Sequence, residues 1–239
     1  MSDLTSTAIE AHGGLERYNG FNSVTAHFRS GGALWGLKQQ EGVFRHAAVR
    51  VDLHRQHASH SPFTAPHLRT SVTAERVAVE TDDGQVKVER LDPRAAFAGH
   101  TLETPWDDLH VAYFAGYAMW TYLTAPFIFA ASDVRTEELP PSTENGQTLR
   151  RLKVTFPDRI ATHSREQIFH FDQHGLLRRH DYTADVLNAG PVAHYSSDYE
   201  EFDGIMVPTR RRVHPLAADG TVNRELELVT IDIESALFV

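Results

Sequence analysis

The sequence predicts an α+β fold: a long curved antiparallel β-sheet, a half-barrel, with an N-terminal helix and a central helical segment covering its concave face. Three observations carry this expectation. Apolar and polar residues alternate through most of the chain, and the joins between alternating runs are short, which demands antiparallel pairing. One aromatic-rich stretch breaks the alternation with helical spacing. The chain also opens on an amphipathic segment. Its 239 residues, 41% hydrophobic and 23% charged, can bury a substantial core. No repeat or linker interrupts them, so residues 1–239 read as a single domain.

Leu4, Ala8, Ala11, Leu15 and Tyr18 recur at spacings of three and four, which predicts a helix over 4–18. Asp3 or Thr5 can cap it, and Asn19-Gly20 ends it. Val24, Ala26 and Phe28 then alternate with polar residues, as do Ala47, Val49 and Val51. Val77, Val79 and Thr81 lead into Asp83-Gly84, with Val86 and Val88 beyond, a hairpin signature. Thr104-Pro105 starts the central helix, Asp107 and Asp108 favour its positive end, and Pro126 stops it. Trp106, His110, Tyr113, Tyr117 and Trp120 fall on one side of it. Residues 132–147 read as a polar loop around Pro140-Pro141. Strands follow near 149–156, 162–172, 176–186, 192–201, 205–214 and 225–235.

Composition excludes several functions. There is no cysteine, so disulfides, thiolate catalysis and cysteine-ligated metals are absent. A net charge of −9 argues against nucleic acid as a partner, and Arg210-Arg211-Arg212 must divide between the two faces of a strand. No nucleotide-binding or serine-hydrolase motif occurs. The apolar stretch 111–131 carries Gly116, Thr121, Thr124 and Pro126, so it reads as a buried helix rather than a membrane span. The N-terminus has no secretory pattern, and the expected location is cytoplasmic. The 15 histidines stand out. His54, His57 and His60 invite a metal reading but lie where a solvated loop is expected.

Turn positions set the register, and period two then assigns faces. A turn at Gln173-His174 places Gln167 opposite His180. A loop over 187–191 places His180 opposite Asp198. A turn at Asp203-Gly204 places Asp198 opposite Thr209, Ser196 opposite Arg211 and His194 opposite Val213. One face thereby gathers His163, Gln167, Phe169, Phe171, Leu176, His180, Tyr182, His194, Asp198, Val207, Thr209, Arg211 and Val213. The opposite face, with Glu166, His170, Arg179, Asp181, Arg210, Arg212 and His214, reads as solvated. The first mixes bulky apolar groups with a few convergent polar ones, as ligand pockets do.

Directly opposed side chains lie about 5 Å apart. Asp198 at that distance would orient His180 as a general base or acid, with Tyr182 as proton donor and Arg211 as anion clamp. Gln167, His194, His163, His110, Tyr113, Tyr117, Trp120 and Thr209 would line the substrate site. Each signal also has a plainer reading. The His180–Asp198 pair could serve only to support the sheet, and the aromatic stripe could be core. His163, His180 and His194 could instead bind a metal with Asp198.

The runs FHFDQHGLLRRHDY (169–182) and HYSSDYEEFDGIMVPTRRR (194–212) resemble the strand–turn–strand pattern of the LolA/LppX-type lipoprotein-sorting superfamily. The chain also resembles uncharacterised bacterial proteins with an AHGG helix (11–14) and the pattern at 105–120. The superfamily resemblance implies a curved half-barrel holding a hydrophobic ligand.

The expected function is therefore binding of a small hydrophobic or aromatic molecule by a cofactor-independent acid–base enzyme: a lyase, isomerase or hydrolase. One alternative is a non-catalytic carrier or sensor of a lipid-like ligand. The other is a metal-dependent enzyme using the inner histidines. No cofactor, no nucleic acid and no membrane span are expected, and the sequence leaves room for an oligomer.

Overall fold

The computed structural model describes residues 3–239. Thirteen strands form one curved, open, wholly antiparallel sheet. The first six are β1 (Ser23–Gly31), β2 (Ala47–Asp52), β3 (Ala58–Ser61), β4 (Leu68–Val72), β5 (Arg76–Thr81) and β6 (Val86–Leu91). The remaining seven are β7 (Arg135–Glu144), β8 (Gln147–Thr155), β9 (Glu166–Phe171), β10 (Leu177–Tyr182), β11 (Val192–Phe202), β12 (Ile205–Pro215) and β13 (Val229–Phe238). Their spatial order is β6-β5-β4-β3-β2-β1-β13-β12-β11-β10-β9-β8-β7. Two meanders thus join where the last strand returns to the first, Phe28 facing Ile233. β6 and β7 remain unpaired edges. The connection between them crosses the concave side as a helix, Asp108–Thr124.

That helix is the fourth of four. α1 (Asp3–Ala11) and α2 (Leu15–Asn19) replace the single helix predicted over 4–18. Gly13 and Gly14 break it with positive φ, and a Cβ on Gly13 would meet the Gly204 carbonyl at 2.4 Å. α3 (Ala33–Leu37) is a short addition after β1. α4 (Asp108–Thr124) starts four residues later than expected, because Asp107 caps it: its carboxylate accepts from the His110 amide at 2.8 Å. Every residue from Val111 to Thr124 is buried. The helix has no solvated side, as befits one enclosed by a curved sheet. It packs chiefly over β2–β5, where Gly116 allows Val72 to approach. The Trp120 indole N–H donates to the carbonyls of Asp52 and Arg55, pinning its C-terminal half to the end of β2.

Two expected loops are strands. His54 and His57 do lie outside the strands, but His60 is an inward-facing residue of β3 and wholly buried. Its alternation with Ala58 was hidden by the polar residues around it. The polar segment 132–147 contains β7, which tolerates Pro140-Pro141 because it is an edge and its ladder shifts register there.

Inward-facing residues divide the concave surface into two limbs. On β1 to β5 the lining is apolar: Val24, Ala26 and Phe28, then Val49 and Val51, Val72, Val77 and Val79, with His60 among them. On β9 to β12 polar groups stand among the apolar ones: Gln167, His180, Tyr182, His194, Ser196 and Arg211 beside Phe169, Phe171, Val207 and Val213, all buried.

Candidate functional site

The polar limb follows from strand register. His180 faces His194 across β10–β11, and Ser196 faces Arg211 across β11–β12. His180 faces Phe169 rather than Gln167 across β9–β10, because the turn sets Leu177 rather than Leu176 opposite Phe171 and Arg178 is then skipped in the ladder. At His180 the departures are even-numbered, so it keeps its face while exchanging partners, whereas at the start of β10 the departure is odd and Leu177 takes the inward place expected for Leu176. His180 stacks on Phe169 with ring centres 3.9 Å apart, and its Nε2–H donates to Gln167 Oε1 at 2.5 Å. Gln167 in turn donates to Thr162 Oγ1 and the Ser164 carbonyl. His163, in the loop before β9, stacks on Tyr182 at 4.0 Å.

Tyr122 of α4 joins these groups into one cluster. Its hydroxyl lies 2.7 Å from His163 Nε2 and 2.9 Å from the Tyr182 hydroxyl. Its ring is 4.6 Å from that of His194, and its carbonyl accepts from Arg211 Nη2 at 3.0 Å. Tyr122 lies outside the aromatic stripe read from the sequence. On a helix buried all round, a stripe no longer marks the functional side.

Burial sets the electrostatics. Desolvation pushes the His163 imidazole down to about 3, and holds His180 and His194 well below the ordinary imidazole value. It raises the Tyr122 and Tyr182 phenols. All three imidazoles are therefore neutral at pH 7.

The expected acid–base pair does not form. Asp198 adopts φ +53° and is exposed, so its carboxylate leaves the concave face; Thr209, whose hydroxyl donates to the Asp198 carbonyl, is thereby a strand-supporting residue. Among the described residues His180 has no carboxylate partner, and burial holds its imidazole well below the ordinary value, which removes the basis for its role as base. A close histidine–aspartate pair between two strands does form, but on the convex side. There His170 Nε2 is 3.0 Å from Asp181, which Arg179 also clamps at 2.6 and 2.9 Å. His170 is buried there, against the expectation of a solvated face.

Other expected site residues are elsewhere. His110 is part of the α4 cap, packed on Phe97 and His100, and does not point into the hollow. Tyr113 also faces Phe97 and borders a surface cleft with Arg94 and Asp185. Trp120 anchors α4 to β2. Tyr117 touches the cluster through His163, ring centres 5.1 Å apart. Among the described residues, no three histidine or carboxylate side chains converge to hold a metal ion.

Between the limbs, under α4, is a small hollow of about 30 Å³. Phe28, Trp35, Phe44, Phe114, Ala115, Ala118, Met119, Val229 and Ile231 line it, with His60, Tyr122 and Tyr182 at its polar margin. Drug-sized ligands need hundreds of cubic ångströms, so α4 largely fills the space as it stands.

No protein-family model and no curated protein matches the sequence. Solved structures do. A DUF1329 family protein from Desulfovibrio piger is 11% identical with a TM-score of 0.54, over 99% of this chain and 94% of that one. A domain from Vibrio parahaemolyticus, described as an outer membrane lipoprotein-sorting protein, is 12% identical with a TM-score of 0.54, over 98% and 91%. A LolA superfamily protein from Nitrosomonas europaea aligns at 11% identity and a TM-score of 0.48, over 94% and 91%. The likeness to an outer membrane lipoprotein-sorting domain overturns the expectation of a cytoplasmic protein. No described helix is long and apolar enough to cross a membrane. At these identities the likeness establishes architecture alone: the chain shares the fold of the Desulfovibrio piger and Vibrio parahaemolyticus structures, and here it is an open antiparallel half-barrel with a helix laid along its concave face.

Proposed function

We propose that the protein is a non-catalytic carrier or sensor of a lipid-like ligand, held between α4 and the apolar limb. The observation that carries this reading is the lining of the hollow, where aromatic and aliphatic side chains from β1, β13, α3 and α4 meet with few polar groups. The volume of about 30 Å³ describes a closed state. α4 is buried on every side and mostly apolar where it meets the hollow, so an acyl chain can take over contacts that α4 gives up as it shifts, and little apolar surface is left to water. The shared architecture with a lipoprotein-sorting domain supports the same ligand class. The acid–base enzyme has less support, since it needs a group that titrates near neutral pH and burial keeps the inner imidazoles neutral.

The test is titration with the apolar fluorophore N-phenyl-1-naphthylamine, followed by displacement with palmitate and methyl palmitate. The wild type should bind the dye, and both chains should compete. Ala118→Phe fills the hollow and should weaken dye binding at least about tenfold while keeping a cooperative melt. Dye binding unchanged in Ala118→Phe, or absent from the wild type, overturns the carrier reading.

A further inference from the structure

Arg211 is 2% exposed and forms no ion pair among the described residues. Its Nη1 donates to Ser196 Oγ at 3.2 Å and its Nη2 to the Tyr122 carbonyl at 3.0 Å; its Nε has no partner. Both acceptors are neutral. The guanidinium lies 5.2 Å from the centre of the Tyr122 ring, again a neutral neighbour. An isolated buried cation is among the costliest arrangements in a protein interior, and an anion is what relieves it.

The position of this cation gives the arrangement a purpose. Arg211 faces Ile231 across β12–β13, and Ile231 lines the apolar hollow. Tyr122 lines the same hollow and covers Arg211 from the other side. His194 is wholly buried beyond the Tyr122 ring, and neither of its ring nitrogens has a partner. It is the diagonal neighbour of Arg211 across the ladder that pairs Ser196 with Arg211. A greasy hollow thus ends at unused donors of a cation and a neutral imidazole, with one tyrosine between.

We propose that the ligand is a single-chain amphiphile with a carboxylate head, which Arg211 receives and to which His194 adds a second hydrogen bond. The proposal rests on the carrier reading above and names the class of its ligand. The acyl chain lies among Phe28, Phe44, Phe114 and Met119, and the carboxylate replaces the Tyr122 carbonyl as acceptor for Arg211. A planar carboxylate matches the guanidinium fork, and one negative charge balances one positive charge beside neutral imidazoles. Because the acceptor exchanged belongs to α4, headgroup capture frees the helix from β12 as the chain takes its place.

The experiment compares palmitate, methyl palmitate and hexadecyl phosphate as competitors for bound fluorophore at pH 7.5, in the wild type and in Arg211→Met. The wild type should prefer palmitate over its methyl ester by about 10–100-fold, the usual worth of a charge-assisted hydrogen bond. Hexadecyl phosphate should bind more weakly than palmitate. Arg211→Met should lose the preference while its affinity for the ester stays within about threefold. Equal binding of palmitate and ester by the wild type overturns the headgroup assignment and leaves the carrier reading standing, whereas binding of neither overturns both. Preference for the phosphate assigns Arg211 to a different headgroup and overturns the carboxylate. Should Arg211→Met be too unstable to titrate, the wild-type ratios alone decide.

Discussion

The two limbs of the concave face are buried alike and built from different chemistry. Val49 and Val51 on β2 are fully buried, and so is His194 on β11. In the apolar limb, burial is favourable on its own account, and α4 packs there through contacts that have no hydrogen-bonding requirement. In the polar limb the buried polar groups need partners, and several lack one: His194, His163 Nδ1 and Arg211 Nε. The same alternation of residues therefore yields one surface whose contribution is independent of pH except at His60, and another whose stability depends on its protonation state. The contrast also separates fold residues from ligand residues better than residue type does, since His60 is a polar residue inside the apolar limb.

The largest expected effect is acid unfolding. His12, His60 and His163 are pushed down to about 4, 3 and 3, and His180 and His194 lie well below the ordinary value, all by desolvation first. Below pH about 6.5 the unfolded chain takes up protons that the folded chain refuses. Stability is thus complete above that pH and falls as pH drops towards about 4. His12, His60 and His163 each contribute a loss of about 2 kcal/mol by pH 5, a large part of the whole stability of an ordinary domain, and His180 and His194 act in the same direction. Urea unfolding at pH 7.5, 6.5, 6 and 5 measures this directly. His60→Phe should flatten the slope by one proton, without touching the polar limb. A free energy that stays level from pH 7.5 to 5 breaks the contrast between the limbs.

A smaller effect tests the apolar limb. A Cβ on Gly116 would stand 2.7 Å from three side-chain atoms of Val72, so α4 cannot keep its distance from β4 if Gly116 grows. Gly116→Ala gains about 1 kcal/mol in helix propensity and loses about 1–3 kcal/mol to overpacking. The net expectation is a loss of about 1 kcal/mol, independent of pH. Val72→Ala in the same chain should relieve the clash and recover much of that loss, measured as a double-mutant cycle. Gly116→Ala more stable than the wild type would mean that α4 is loosely held over this limb.

Much of this was legible in the residues, and the failures have local causes. Face assignment at the centre of the C-terminal ribbon survived errors of register because the errors there were even-numbered: His180 lies opposite Phe169 and His194, yet still faces inward, whereas the odd error at the start of β10 puts Leu177 in the place read for Leu176. The Ser196–Arg211 and His194–Val213 pairs follow from the Asp203-Gly204 turn and are present as read. Strands β3 and β7 were masked by polar composition and by Pro140-Pro141, because alternation is hard to see in a strand of four residues or at a bulged edge. Tyr122 could not be singled out, since enclosure of α4 on all sides is a tertiary fact that helical periodicity does not contain. Asp198 failed for a backbone reason: a left-handed residue in mid-strand sends its side chain away from the face that period two assigns.

That residue supplies the smallest expected effect and the sharpest check on the polar limb. Asp198 is exposed at φ +53°, flanked by the regular pairs Ser197–Arg210 and Tyr199–Pro208. Glycine reaches this conformation without the Cβ strain that costs other residues about 1 kcal/mol or more, while it adds freedom to the unfolded chain that costs about as much. Asp198→Gly should therefore change stability by no more than about 0.5 kcal/mol in either direction, and ligand affinity should be unaltered. The contrast is Asp181, the carboxylate that His170 and Arg179 share on the convex face, whose replacement leaves both without their anion. A large loss of stability or of ligand binding in Asp198→Gly would return Asp198 to the concave face and restore the acid–base pair that its backbone now forbids.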